Sequence, residues 1–280
     1  MMDGMTAGAT GKARKPKHAD HWTAKDGVIS LVRPARESRP AALGAAPQPV
    51  ELDLARTALV VVDMQNDFCH PAGWFPAVRG VDPAPLLAPV DTINRLIAAS
   101  RAAAVPILWL NWGVREDAAN LPPHVLDKAT ACGELPGYGD PSPTGHGPIL
   151  VEGSWGAATI EALDQQPEDL VVHKHRLSGF KDSTLDSVLR RAGFTTLLFT
   201  GINIDRCVFA TLTDASFEGY DVILVEDATA TPSPDYVREA VLYLTRLLYG
   251  FTTSATEIEA CLALGADNKT ALPEQNGGSL

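Results

Sequence analysis

The chain has 280 residues, is 45% hydrophobic and carries a formal net charge of −11, which suits one large core and has the wrong sign for a nucleic-acid surface built of clustered Lys and Arg. No apolar run approaches the roughly 20 residues of a bilayer span, and no compact apolar segment marks a secretory leader, so the expectation is a cytoplasmic chain with neither membrane nor nucleic acid as partner. Cys69, Cys132, Cys207 and Cys261 lie far apart with no CxxC pair, which suggests free thiols and neither a zinc ribbon nor a disulfide framework.

Residues 1–50, from GATGKARKPKHAD through RPARESRPAALGAAPQP, lack strand or helix periodicity and read as an extension. It is either flexible or an arm docked on a neighbouring subunit through Trp22, Val28, Ile29 and Leu31. The main domain is expected over residues 51–264, and residues 265–280, GADNKTALPEQNGGSL, read as a frayed tail.

Within the domain, TALVVVD is a continuous apolar run ending in Asp63, a helix is predicted over residues 85–104, and PILWLNW supplies a second strand ending at Trp112. A Pro/Gly-rich excursion then runs to about Gly153, followed by a predicted helix over 157–163. DLVVHK is a third strand ending at Lys174, with a helix over 182–192. TTLLFTG, a helix over 205–218, DVILVED, a helix over 234–249, a short strand near Phe251 and a last helix from about Glu257 complete the series. Uniformly apolar strands alternating with helices predict a doubly wound, Rossmann-like α/β fold: a mostly parallel six-stranded sheet with helices on both faces. Ligands of such sheets bind beyond the carboxyl ends of the strands, where strand order reverses.

Three chemically active residues stand at those ends. Asp63 closes the first strand, Lys174 the third, and Cys207 follows the fourth. Taken singly, each has a plainer reading: Asp63 as the cap of a turn, Lys174 as a surface lysine, Cys207 as a small buried hydrophobe. Together at one sheet edge they suit nucleophilic catalysis, with the carboxylate as general base, the ammonium as charge stabiliser and the sulfur as attacking atom. A helix start and a nearby ammonium both favour thiolate, so Asp205 as N-cap is expected to place Cys207 where the anion is easily held. Backbone N–H groups of that turn can face an oxyanion.

The stretches ALVVVDMQNDF, VVHKHRLSGF and LLFTGINIDRCVFATLTDASFEGYDVILVEDATAT resemble the isochorismatase-like cysteine hydrolases over residues 53–262. The resemblance implies a triad of Asp63, Lys174 and Cys207, with attack on an amide or ureide carbonyl, loss of ammonia or an amine, and hydrolysis of a thioester acyl-enzyme. It further implies a cis peptide between Ile202 and Asn203, an oxyanion hole formed by the N–H groups of Asn203 and Cys207, and assembly as a homo-oligomer, dimer or tetramer. No cofactor is implied. Nicotinamidases that use a metal carry Asp-x-His and a further His after the second strand. Here NWGVREDAANLPPH offers only His124, and His70 reads as a loop residue, so no metal site is expected. His173 and His175 flank Lys174 and should point away from it.

RLSGFKDSTLDSVLR and LVEDATAT look like the ureidoacrylate amidohydrolases, whereas LPPHVLDKA and GYGDPSPTGHGPILVEGSWG look like the biuret and triuret hydrolases. The substrate expected is a small ureido or carbamoyl compound. Phe68, Asn111, Trp112 and Asn203, at or just beyond strand ends, are the candidates for lining its pocket. Alternatives are an N-carbamoylsarcosine or nicotinamide-type amidase, an isochorismatase-type vinyl ether hydrolase, and an inactive scaffold. A dinucleotide-binding enzyme is set aside because DMQNDFCHPAG lacks the GxGxxG turn.

Overall fold

The computed structural model describes residues 22–33 and 36–267; the rest of the extension (1–21, 34 and 35) and most of the tail (268–280) lie outside the described residues. The chain forms two compact units, Met1–Arg36 and Glu37–Leu280. In the first, β1 (Thr23–Lys25) and β2 (Val28–Ser30) pair antiparallel. Asp26 and Gly27 join them at φ 51° and 77°, the positive values that a two-residue hairpin turn requires.

The second unit begins at residue 37, earlier than composition indicates. Its first hairpin joins β3 (Pro40–Leu43) to β4 (Val50–Asp53) in antiparallel register, and Ala41 and Leu43 are buried. With Leu52 of β4, that makes three inward residues in the hairpin, too few for alternation to show against an Ala/Pro background.

The central sheet runs β10-β9-β8-β5-β6-β7, with every neighbouring pair parallel. Its strands are β5 (Thr57–Val62), β6 (Ile107–Trp112), β7 (Leu170–Lys174), β8 (Thr196–Ile202), β9 (Asp221–Ala230) and β10 (Phe251–Thr253). Every residue of β5, β6 and β8 is buried, the signature of strands covered on both faces. The chain passes from β5 outward through β6 to β7, then returns to lay β8 on the other side of β5. Strand order therefore reverses between β5 and β8, the strands that precede Asp63 and Cys207.

Short helices α1 (Asn66–Cys69), α2 (Trp74–Ala77) and α3 (Ala84–Leu87) follow β5, then α4 (Val90–Ala102) and, in the excursion, α5 (Pro123–Ala129). Beyond β7 come α6 (Leu185–Ala192), α7 (Phe209–Phe217), α8 (Asp235–Leu244) and α9 (Ala255–Asp267). Helices α4 and α9 pack together against β5, β6 and β9, and right-handed crossovers in the returning direction set α6, α7 and α8 on the opposite face. Among the described residues no helix is long and apolar enough to cross a membrane.

The helix predicted over 157–163 is absent. Asn66 N donates to Ala158 O at 3.0 Å and Ile160 N to Met64 O at 3.0 Å, so this segment pairs with the chain leaving β5 and closes no helical ladder of its own. The excursion is thereby folded down over the carboxyl edge of the sheet.

Candidate active site

Asp63 leaves β5 at φ 51°, a left-handed conformation that Asp tolerates better than most residues. Its N–H still donates to Leu110 O at 3.0 Å, and its carbonyl accepts from Gln65 N at 2.8 Å. The turn is therefore tight, and the carboxyl is 1% exposed. Lys174 ends β7 two strands away and is fully buried. Its side chain passes over the Trp112 ring, with Nζ 4.2 Å from the centroid, and donates to Asp63 Oδ2 at 2.9 Å. Cation–π attraction and the ion pair together hold an ammonium that burial alone would neutralise. Burial works against its charge, yet Asp63 and Cys207 leave Lys174 above its ordinary value.

Cys207, 6% exposed, completes the group, close enough that Asp63 and Lys174 both act on its titration. Burial first and the Asp63 charge second push the thiol up to about 12, with Lys174 opposing. The direction of that shift favours the thiol and runs against the expectation of a thiolate held at a helix start. The entry to α7 is a wide turn over Ile204–Val208, in which Val208 N donates to Asn203 O at 3.2 Å. Asp205 caps nothing: Oδ1 accepts from Thr231 Oγ1 at 2.6 Å and Oδ2 from Ser233 Oγ at 2.8 Å. Burial also raises the Asp63 carboxyl, Lys174 and Cys207 pulling the other way. Asp63 Oδ1, the oxygen not held by Lys174, has no hydrogen-bond partner among the described residues, which leaves it able to take a proton.

Asp63 and Cys207 line a cavity of about 500 Å³, together with Phe68, Trp112 and Asn203 among others, while Lys174 is fully buried behind Asp63 and does not line it. Phe68, Trp112 and Asn203 thus stand where the sequence places them. Asn111 does not line it. Successive strand residues face opposite ways, so with Trp112 at the cavity Asn111 turns away, and its Nδ2 donates to Thr159 Oγ1 at 3.0 Å. The Ile202–Asn203 peptide is cis. Trp112 Nε1 and Asn203 Oδ1 are buried without partners among the described residues. His173 faces Glu152 at 3.0 Å, away from the cavity, and His124 lines the cavity. A larger hollow of about 680 Å³, lined by Asn66, Cys69, His70 and Trp155 among others, is lined by none of Asp63, Lys174 and Cys207.

Sequence reasoning missed much of the wall. Trp74 and Phe75 are stacked at 5.8 Å and 18°. Tyr138 packs on Trp112 at 5.3 Å and on Trp74 at 5.1 Å. An available signal was GWFP, two adjacent aromatics in a polar loop directly after the DMQNDF turn. For Tyr138, inside the excursion, no local signal exists.

The profile of a family described as "Isochorismatase domain" matches residues 57–257. Among curated proteins, the ureidoacrylate amidohydrolase RutB of Methylobacterium radiotolerans is 34% identical over 239 residues, covering 79% of this chain and 85% of its own. That of Azorhizobium caulinodans is 32% identical over 234 residues, covering 79% of this chain and 96% of its own. Among solved structures, a cysteine hydrolase from Pseudomonas syringae pv. phaseolicola 1448A superposes with TM-score 0.63 at 28% identity, over 76% of this chain and 95% of that one. The N-carbamoylsarcosine amidase from Thermoplasma acidophilum does so with TM-score 0.54 at 28% identity, over 71% and 96%.

Proposed function

Because the chain belongs to the isochorismatase family of hydrolases, we propose that it is a cysteine amidohydrolase that cleaves a C–N bond of a small ureido or carbamoyl compound and releases ammonia. The observation that carries this reading is the placing of Cys207 beside Asp63 at one cavity, with Lys174 donating to Asp63 Oδ2 and Asp63 Oδ1 left unpartnered among the described residues.

In the first step Asp63 Oδ1 takes the thiol proton as sulfur attacks the carbamoyl carbon, and Lys174 offsets the charge that passes between them. The N–H groups of Asn203 and Cys207 receive the developing oxyanion. Collapse of the tetrahedral adduct breaks the bond to nitrogen, Asp63 returns the proton to it, and ammonia leaves. The acyl-enzyme is a thioester, or for a ureide a thiocarbamate. Water then gives a proton to Asp63 and its oxygen to the acyl carbon, and the proton returns to sulfur as the carbon–sulfur bond breaks.

The ureido class is supported by the curated relatives, named for ureidoacrylate hydrolysis. Vinyl ether hydrolysis needs no thiol and gives Cys207 nothing to do. We further infer that the protein acts as a homo-oligomer. Tyr236, Tyr243 and Leu247 recur along α8 and its continuation at intervals of seven and four residues and are 70%, 62% and 57% exposed, an apolar stripe that a second copy would cover.

Ammonia release from ureidoacrylate, biuret, triuret, N-carbamoylsarcosine and nicotinamide tests the reading. Turnover of at least one ureido compound is expected, and cleavage of nicotinamide alone would refute the substrate class.

A further inference from the structure

In a chain of net charge −11, the cavity at Cys207 gathers cations: Arg79, Lys128, Arg176, Lys181 and Arg206 line it, and Asp63 is the sole acid among the lining residues. Three of the five face carboxylates elsewhere, Arg176 on Asp182 at 2.9 Å, Lys181 on Asp214 at 3.5 Å and Arg206 on Asp205 at 3.6 Å. Arg79 is in no ion pair among the described residues; its Nη1 donates to the carbonyls of Lys128 and Ala129 at 3.1 and 3.0 Å. Those bonds fix the guanidinium at the end of α5 and leave its charge uncompensated, with further N–H donors to spare.

The two arginines share one support. The Arg79 guanidinium lies 5.9 Å from the Trp74 ring and that of Arg206 lies 5.9 Å from the Phe75 ring, and those rings are the stacked pair of the cavity wall. Aromatic faces hold guanidinium groups without supplying a counter-ion. Half-buried Tyr138 lines the same cavity as Arg79, Arg206, Cys207 and Asp63, so all four address one small chamber. A planar carboxylate is the anion whose two oxygens match the guanidinium fork.

We propose that Arg79, with Arg206 beside it, receives a carboxylate at the far end of the substrate while the ureido group lies at Cys207, so that the enzyme prefers ureido acids to neutral ureides. This rests on the hydrolytic reading above and narrows it: biuret and triuret, which carry no such anion, become the weaker substrates.

The test is ammonia release from 3-ureidoacrylate and from its methyl ester, in which a methyl group replaces the negative charge. Wild-type kcat/KM for the acid should exceed that for the ester at least about tenfold, as expected for a charge-assisted pair in a partly buried site. Arg79→Gln should reduce that ratio at least about tenfold, mainly through KM for the acid, and Arg79→Lys should restore part of it. Equal use of acid and ester by the wild type, or an unchanged ratio in Arg79→Gln, would overturn the proposal. Should Arg79→Gln fail to fold, the wild-type ratio and Arg79→Lys decide. Should the wild type release ammonia from neither compound nor from any other ureide of the panel, the hydrolytic reading falls. Calorimetric binding of acid and ester to Cys207→Ala then judges the carboxylate site separately: tighter binding of the acid supports it, and equal binding overturns it.

Discussion

Burial and the facing Asp63 carboxylate act on Cys207 in the same direction and Lys174 alone opposes them, which favours a thiol over a preformed thiolate and, in the proposed mechanism, leaves Asp63 as its base. Activation then belongs to the moment of attack, as general-base catalysis requires. A consequence separates this arrangement from a preformed thiolate. Asp63→Asn removes the carboxylate that raises the thiol and leaves the ammonium that lowers it. The alkylation midpoint of Cys207 should therefore fall below about 12 while turnover drops by about a thousandfold for want of a base. Iodoacetamide labelling across pH, beside ammonia release, reads both, and a midpoint that stays or rises would contradict it. At this scale the convergence of Asp63, Lys174 and Cys207 was legible because strand ends are legible. Asn111 misled because a one-residue difference in strand parity reverses a side chain's face, and Arg79 and Arg206 escaped notice because their cavity exists only once α2, α5 and the turn before α7 are assembled.

Between strands, Gln65 continues the β5–β6 pairing beyond the last strand residue. Its Oε1 accepts from Trp112 N at 2.7 Å, and its Nε2 donates to Trp112 O at 2.7 Å and Ala157 O at 2.6 Å. One amide thus fixes Trp112 under the Lys174 ammonium and ties the excursion to the sheet edge. Gln65→Leu would leave a backbone N–H and two carbonyls short of partners in a buried place, each costing about 1–3 kcal/mol. Unfolding in urea should show a loss of at least about 2 kcal/mol; a loss within about 0.5 kcal/mol, typical of an inert surface change, would contradict the role. Gly201 is equally constrained: at φ 97° a Cβ there would lie 2.2 Å from Val62 O, so β8 approaches β5 closely only with glycine at that position. The alternation of strand and helix was readable since each strand is a continuous apolar run. The segment that follows the excursion, residues 155–160, was not, because its hydrogen bonds go to residues 64–67, partners about 90 residues away in sequence whose identity no local pattern encodes.

Across the whole molecule, acidic charge and a cationic cavity coexist, so an anionic substrate would be repelled in general and drawn in at one place. The same surface carries the exposed Tyr236, Tyr243 and Leu247 stripe, an unusual cost for a chain that stays alone. Sedimentation velocity of the wild type should give a dimer or larger, and Tyr243→Glu, which sets a charge in the stripe, should shift it toward monomer. A wild-type monomer at micromolar concentration would contradict the assembly. The fold class and the sheet edge that carries the site could be read from sequence, but the join of residues 37–53 to the main unit could not, for β3 and β4 together bury too few side chains to show a period.

The measurement that bears most directly on the thiol mechanism is ammonia release by folded Cys207→Ala beside the wild type, on whichever ureide the wild type cleaves. Attack by sulfur predicts a loss of at least about a thousandfold, as when a catalytic nucleophile is removed. Undiminished turnover would show that Cys207 is not the nucleophile.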